Sequence, residues 1–310
     1  MKAFDIVTLT VNPAVDKSTS FKGLVAEQKI RCEVPRYDAG GGGINVSKAI
    51  ARLGGNSMAL FTSGGAMGQL LEELVAKENI ASEAVAVESW TRESFVAVDT
   101  NTNSQYRFGF TGGAITPEES ECFLAKIAEF KPKFLVGSGS LNEGLNADFY
   151  QKVAQIAKAN GSKLIVDTSG AALEKVLEVG AYLIKPNVGE LAKLIGEERL
   201  EMEEVNEAAK KIIAKGGAEI VVVSLGPQGA VLVTKDHYEF VPAPNVAKKS
   251  TVGAGDSMVG GMVWALSQNK PLKEVIRWGV ACGSAATMNE GTQLFKGSDA
   301  QRLFDWLKDK

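Results

Sequence analysis

Asp256 is the carboxylate whose neighbours best equip it to move a proton in this 310-residue chain. It follows Ser250-Thr251-Val252-Gly253-Ala254-Gly255 and precedes an apolar stretch that runs through Trp264 and Leu266. Gly253 and Gly255 place no side chain between the main chain and a ligand, and the stretch after them reads as a buried helix. A glycine turn feeding a helix aims free N–H groups at one point, where the helix dipole also favours negative charge. That arrangement suits the charge that builds on a phosphoryl group in flight. Asp256, in the first turn, would accept the proton of an attacking hydroxyl. A core helix packed closely through its glycines and capped by Asp256 would carry the same residues, so the choice falls to the rest of the chain.

Other candidates lie where strands end. Asp167 follows Leu164-Ile165-Val166, Lys185-Pro186-Asn187 follows Tyr182-Leu183-Ile184, and Ser224-Leu225-Gly226-Pro227-Gln228-Gly229 follows Val221-Val222-Val223. In a parallel sheet these polar ends line one crevice at the carboxyl edge. Asn187 and Glu190 share a helical face in a first turn, suited either to the water shell of Mg²⁺ or to a plain cap. Gly40-Gly41-Gly42-Gly43, placed between an extended piece and a helix, reads as a loop that binds a polyhydroxylated or anionic ligand rather than as a linker. The chain has no G-x-x-x-x-G-K-[ST], so it is not a P-loop enzyme; it has no G-x-G-x-x-G, which argues against a dinucleotide fold, and no G-x-S-x-G serine elbow.

Composition narrows the class further. Lys and Arg number 34 against 37 Asp and Glu, for a net charge of −3, so neither nucleic acid nor an acidic membrane is an expected partner. An apolar fraction of 45% supplies a full core, and no uncharged stretch is long enough to span a bilayer. Cys32, Cys122 and Cys282 are far apart and odd in number, which argues against a disulfide framework. The start MKAFDIVTLTVN lacks the apolar core of a signal peptide, so a cytoplasmic protein is expected. His237, the lone histidine, sits in a polar turn between short strands and reads as a surface residue.

The elements that must position these residues follow from period and punctuation. Phe4–Val11 is a β-branched strand, and Asn12–Asp16 reads as the turn after it. Ile44–Leu53 has helical spacing and stops at Gly54-Gly55. Ser94–Asp99 and Gln105–Phe110 alternate about Thr100–Asn103 as a hairpin. Thr116-Pro117-Glu118-Glu119 opens a helix with a capping box. From there strands and helices alternate, which predicts a mostly parallel α/β sheet with helices on both faces. Segments 12–36 and 89–112 interrupt this pattern and are expected to form one small inserted β-sheet lid. The core would then comprise 1–11, 37–88 and 113–310.

Gly40–Gly43 with Asn45, Asn187-Val188-Gly189-Glu190 and Thr251–Asp256 resemble, in order and over nearly the whole chain, the motifs of the ribokinase (PfkB-type) carbohydrate kinases. Trp90-Thr91-Arg92, Gln105–Phe108, Val223–Ala230 and Gly283–Thr287 are most similar to its branch of ribokinase-type bacterial 6-phosphofructokinases. Ser250 stands where kinases of unphosphorylated sugars typically carry Asp, a departure seen in the phosphosugar branch. The resemblance implies ATP-dependent phosphorylation of fructose 6-phosphate at its C1 hydroxyl. Tagatose-6-phosphate kinase and 1-phosphofructokinase are its rivals, and an idle sugar-phosphate sensor is the reading outside enzymes. Asp256 would be the base and Gly253, Ala254 and Gly255 the anion hole. Asp16, Gly41, Gly42, Gly43 and Asn45 would hold sugar hydroxyls, and Lys29, Arg92 and Ser140 the 6-phosphate. Lys185, Asn187, Ser224, Gly226, Pro227, Gly229, Ser250 and Ser284 would line the ATP site. Asn187 and Glu190 would order Mg²⁺ through water, and Val252, Ala286, Asn289 and Gly291 resemble a K⁺ loop. Gln293 stands where the family can place Arg after that loop. The inserted sheet would double as a homodimer interface.

Overall fold

All five residues of Ile6–Thr10 (β1) are buried, because this strand lies inside a sheet covered on both faces. The structure is a computed structural model and describes residues 4–310, so the expectations for Met1 to Ala3 lie outside it. After β1 come Ala14–Phe21 (β2), Arg36–Gly40 (β3), Gly42–Arg52 (α1), Met58–Ser63 (β4), Gly65–Lys77 (α2) and Ala81–Ala86 (β5). Arg92–Asp99 (β6) and Ser104–Gly109 (β7) form the expected hairpin. Then Pro117–Glu129 (α3), Phe134–Ser138 (β8), Phe149–Asn160 (α4), Lys163–Asp167 (β9), Gly170–Val179 (α5) and Ala181–Ile184 (β10) alternate regularly. Val188–Leu194 (α6), Val205–Ala214 (α7), Ala218–Ser224 (β11), Gly229–Val233 (β12) and Tyr238–Pro242 (β13) follow. Ala254–Ser267 (α8), Leu272–Thr287 (α9) and Gly297–Lys308 (α10) end the chain.

The main sheet has nine strands in the order β13-β12-β11-β10-β9-β8-β1-β4-β5. Every neighbouring pair is parallel except β11–β12 and β12–β13. Alternate residues feed opposite faces, as the two-residue period of a strand requires. Val7 and Leu9 join Phe123, Tyr150 and Val176 of α3, α4 and α5 on one face. Ile6 joins Val46, Val259, Ile276 and Phe304 of α1, α8, α9 and α10 on the other. The succession turns from one side of β1 to the other, β4 on one flank and β8 on the next, and ligands of open α/β sheets bind at such a switch point.

A second sheet, in the order β3-β2-β6-β7, stands apart from the first. Its central pair β2–β6 is parallel and the outer pairs are antiparallel. Two details differ from the sequence reading. Ala14–Asp16, expected in a turn, opens β2, because pairing with β6 on one side and β3 on the other supplies the hydrogen bonds that its polar sequence does not advertise. Arg36–Gly40 belongs wholly to this sheet, so the sheet runs past position 36. No helix among the described residues is long and apolar enough to cross a membrane.

Candidate active site

Asp256 is the third residue of α8, whose N-cap is Gly253 at φ 72°. That left-handed angle disfavours any residue with a Cβ and sets the sharp entry into the helix. Gly255 and Asp256, in the first turn, have amides with no partner one turn back within the helix. Asn45 on α1 donates its Nδ2 to Asp256 Oδ2 at 2.9 Å. Lys185, just after β10, pairs with Asp167 at the end of β9 at 3.0 Å, and both side chains are largely buried. A Cβ at Gly255 would stand 3.6 Å from the Lys185 Nζ, so this ammonium faces the glycine turn. A carboxylate, amides free of helical partners and an ammonium thus gather at the carboxyl edge of the sheet.

Electrostatics separate the roles. Burial pushes Asp256 up to about 6, Asp167 adds to the rise, and Asn45 and Lys185 oppose it. Burial works against the Lys185 ammonium, yet Asp167, Asp256 and Glu190 together more than offset it, so the Lys185 pKa lies above its ordinary value. Lys185 is therefore a fixed positive charge at neutral pH, while Asp256 exchanges its proton near physiological pH.

Asn187 and Glu190 close a reciprocal cap on α6: the Asn187 side chain accepts from the Glu190 amide, and Glu190 Oε2 accepts from the Asn187 amide, each at 2.9 Å. Of the two alternatives read from the sequence, the cap is present, and Glu190 Oε1 takes no part in it. Ser224 pairs beside Asn187, donating its amide to the Pro186 carbonyl at 3.0 Å. Gly226, Pro227 and Gly229 form the turn beyond it, with Gly229 pressed against the Val241 carbonyl where a side chain would collide. Ser284 lies near the end of α9 and its carbonyl accepts from Thr287.

Ser250, expected at the nucleotide, is tied by its hydroxyl to two backbone segments. It is 3% exposed; its hydroxyl donates to the Gly291 carbonyl at 2.8 Å and accepts from the Val252 amide at 3.2 Å. It stitches the 250–252 strand of backbone to the 289–291 turn, and so holds Val252 and Gly291 together. In the same loop the Asn289 amide turns back to the Ala286 carbonyl at 3.2 Å.

A second polar cluster gathers on the small sheet. Asp16 sits directly across from Asp38 in the β2–β3 register. Burial raises Asp16 to about 6; Lys48 and Arg92 oppose the rise and Asp38 adds to it. Asp16 also lies within electrostatic reach of Asp256, which links the two clusters. Arg92, opening β6, donates Nε to Asn12 Oδ1 at 3.0 Å and a terminal nitrogen to the Asn12 carbonyl at 3.4 Å. Ser140, past β8, accepts from Asn12 Nδ2 at 3.1 Å. Lys29 lies exposed between β2 and β3, outside these hydrogen bonds. In the glycine run, Gly40 packs on the Asp16 carboxylate, Gly42 on Ser138 and Gly43 on the Leu9 carbonyl. These residues let α1 approach the strands, and so deliver Asn45 to Asp256.

Three functional residues carry no distinctive signal in the sequence: Asn12, Lys48 and Asp38. Asn12 reads from the sequence as part of a turn, and in the structure its side chain holds Arg92 and Ser140. Lys48, 3% exposed, donates to the Ala39 carbonyl at 2.9 Å and sets a buried positive charge near Asp16. Asp38 accepts from Arg36 at 2.7 Å and from the Thr292 hydroxyl at 2.8 Å, joining the small sheet to the turn beside Gly291. Their signal was at most a polar residue next to a strand end. Among the described residues, no group of three or more His, Cys, Asp or Glu is placed to hold a metal.

Comparison with known proteins gives consistent matches over nearly the whole length. Residues 2–298 match the model of the pfkB family carbohydrate kinases. The chain is 41% identical over 304 residues to ATP-dependent 6-phosphofructokinase isozyme 2 of Escherichia coli (strain K12), covering 97% of this chain and 98% of that protein. The crystal structure of phosphofructokinase-2 from Escherichia coli in complex with potassium superposes with a TM-score of 0.95 at 41% identity, over 98% of this chain and 99% of that one. The complex of that enzyme with fructose-6-phosphate gives 0.93 at 39% identity, with the same coverage.

Proposed function

The chain belongs to the pfkB family of carbohydrate kinases, and on that footing we propose that it transfers the terminal phosphoryl group of ATP to the C1 hydroxyl of fructose 6-phosphate, giving fructose 1,6-bisphosphate and ADP. The observation that carries this reading is the pairing of two anion-seeking ends in one cleft, the α8 turn with Lys185 at one and Arg92 with Ser140 at the other. A substrate that spans them needs a phosphate at one end and a free hydroxyl at the other. Fructose 6-phosphate has both, and fructose lacks the first.

Catalysis on this reading is positioning plus electrostatics. Asp256, ionised, accepts the proton of the C1 hydroxyl as that oxygen attacks the γ-phosphorus and the bond to ADP breaks. The amides of the α8 turn and Lys185 meet the charge on the transferring group. Asp16 and Asn45 orient the sugar. Asn187, Ser224, Gly226, Pro227, Gly229 and Ser284 line the nucleotide's side of the cleft. Glu190 Oε1 beside Asn187 fits a water-bridged Mg²⁺, which needs only one or two carboxylates besides phosphate oxygens; when bound it neutralises phosphate charge. The backbone of Val252, Ala286, Asn289 and Gly291 offers the oxygen donors that K⁺ prefers. Segments flanking the small sheet expose Val34 at 92% and Trp90 at 64%, Phe108 on β7 and Phe110 just after it are exposed as well, and a second copy of the chain is the proposed cover.

The test is a coupled assay of ADP release on a panel of fructose 6-phosphate, tagatose 6-phosphate, fructose 1-phosphate and fructose. The highest kcat/KM is expected on fructose 6-phosphate, with tagatose 6-phosphate weaker because one ring hydroxyl is misplaced. Equal rates on fructose, or a preference for fructose 1-phosphate, would overturn the reading.

Two further outcomes follow from the geometry. Only ionised Asp256 can take a proton, so kcat/KM should fall as pH drops through about 6. A profile flat to pH 5 would remove Asp256 from that role. Glu190→Gln keeps the cap, since Gln still offers an oxygen to the Asn187 amide, but loses the charge. It should raise the Mg²⁺ concentration for half-maximal rate by about tenfold, equivalent to about 1.4 kcal/mol, with the sugar KM unchanged. A magnesium titration matching the parent, with only the sugar KM moved, would refute it.

A further inference from the structure

Resting on the reading of Arg92 and Ser140 as the phosphate end of the cleft, we infer that Asn12 is the positioning residue that aims both of them. A guanidinium has five N–H donors in one rigid plane. Asn12 takes two, Nε–H by its side-chain oxygen at 3.0 Å and one terminal N–H by its main-chain carbonyl at 3.4 Å. A plane held at two points on one edge cannot swing about its long side chain, and it keeps three donors for an oxyanion. The same amide sends Nδ2 to Ser140 Oγ at 3.1 Å and to the Leu141 carbonyl at 3.3 Å. One side chain therefore bridges β6 of the small sheet and the loop after β8 of the main sheet.

The electrostatics leave Arg92 ready for an anion. Burial lowers its pKa, and Asp16 only partly restores it. The groups that hold it are a neutral amide and a carbonyl, so none of its charge is cancelled by the residue that orients it. A carboxylate at position 12 would orient Arg92 equally well and would also neutralise it. The amide is therefore the group that fixes the direction of Arg92 without adding a second carboxylate to Asp16 against its charge. Gly112 completes the nest: a Cβ there would run into Asn12 Oδ1 and Asn142.

The distinguishing experiment compares Asn12→Ala and Asn12→Asp with the parent in steady-state kinetics, varying fructose 6-phosphate and ATP separately. Asn12→Ala should raise the sugar-phosphate KM by about tenfold or more, leaving the ATP KM and kcat within about threefold. Asn12→Asp, though isosteric and still able to accept from Arg92, should be the worse of the two, since its charge faces the incoming phosphate and it cannot donate to Ser140. A purely structural role predicts the reverse order, with Asp rescuing what Ala loses, and that result would overturn the inference. In an Arg92→Ala background, Asn12→Ala should add little, because the two act as one unit. If Arg92→Ala raises the sugar KM while both Asn12 variants behave as the parent, the inference about Asn12 fails alone. If Arg92→Ala leaves that KM unmoved, the phosphate-end reading fails with it.

Discussion

Asp256→Asn is expected to lower turnover by at least about 10²–10⁴-fold and, at the same time, to make the ligand-free protein more stable at pH 8. The first effect follows from chemistry. Asn is nearly the same shape and its carbonyl still accepts from Asn45, so the α8 turn, Lys185 and the cleft should stay in place, but an amide cannot take the hydroxyl proton. The second follows from linkage. The folded pKa of Asp256 is raised from 3.8 to about 6, so the folded state holds this proton more tightly than the unfolded one. The stability this supplies is fully present below pH 3.8 and is lost as pH rises through about 6. At pH 8 the ionised carboxylate then costs on the order of 3 kcal/mol, at 1.36 kcal/mol per pKa unit, which Asn does not incur. Thermal melts of both proteins at pH 8 and pH 5 should show a higher midpoint for the variant at pH 8 and a narrower gap at pH 5. A variant that turns over within tenfold of the parent would remove Asp256 as the base. One that is inactive and also melts lower at pH 8 would show that the loss is structural.

Arg92→Ala is expected to cut kcat/KM on fructose 6-phosphate by at least about a hundredfold, within the 2–5 kcal/mol typical when one partner of a buried charge pair is removed. Activity on fructose should be low in both proteins and unchanged by the substitution, because fructose offers Arg92 nothing to hold. That contrast separates a lost phosphate contact from a general loss of fold. Ala also frees Asn12 from Arg92 while leaving its bond to Ser140, so ATP binding at the far end of the cleft should be unaffected. A variant that loses fructose 6-phosphate and fructose activity in equal proportion would indicate damage to the cleft itself, and the phosphate assignment would fall.

Much of this protein is legible in its sequence because the deciding interactions are short-range. The caps Thr116/Glu119 and Asn187/Glu190 each close within four residues, and both are found in the structure with their reciprocal hydrogen bonds. The hairpin β6–β7 is specified by alternation about a polar turn. The α8 entry is specified by Gly253, where a left-handed angle admits little else. Strand-end polar residues could be placed on one edge because consecutive parallel strands share a direction, whatever their order.

The tertiary structure decided everything that depends on which distant segments meet. Ala81–Ala86, with its alanines and a glutamate, has low β-propensity and became a strand only by pairing with β4 at the sheet edge. Ser250 sits in a motif that resemblance turns toward the nucleotide, yet its hydroxyl is drawn to Gly291, 41 residues on. The Asp38–Thr292 bond spans 254 residues and the Asn12–Arg92 bond 80. No periodicity connects such positions, since period and capping act over a turn or a strand. Their partners are set by how the two sheets stand against each other, which is a property of packing that no local stretch of residues carries.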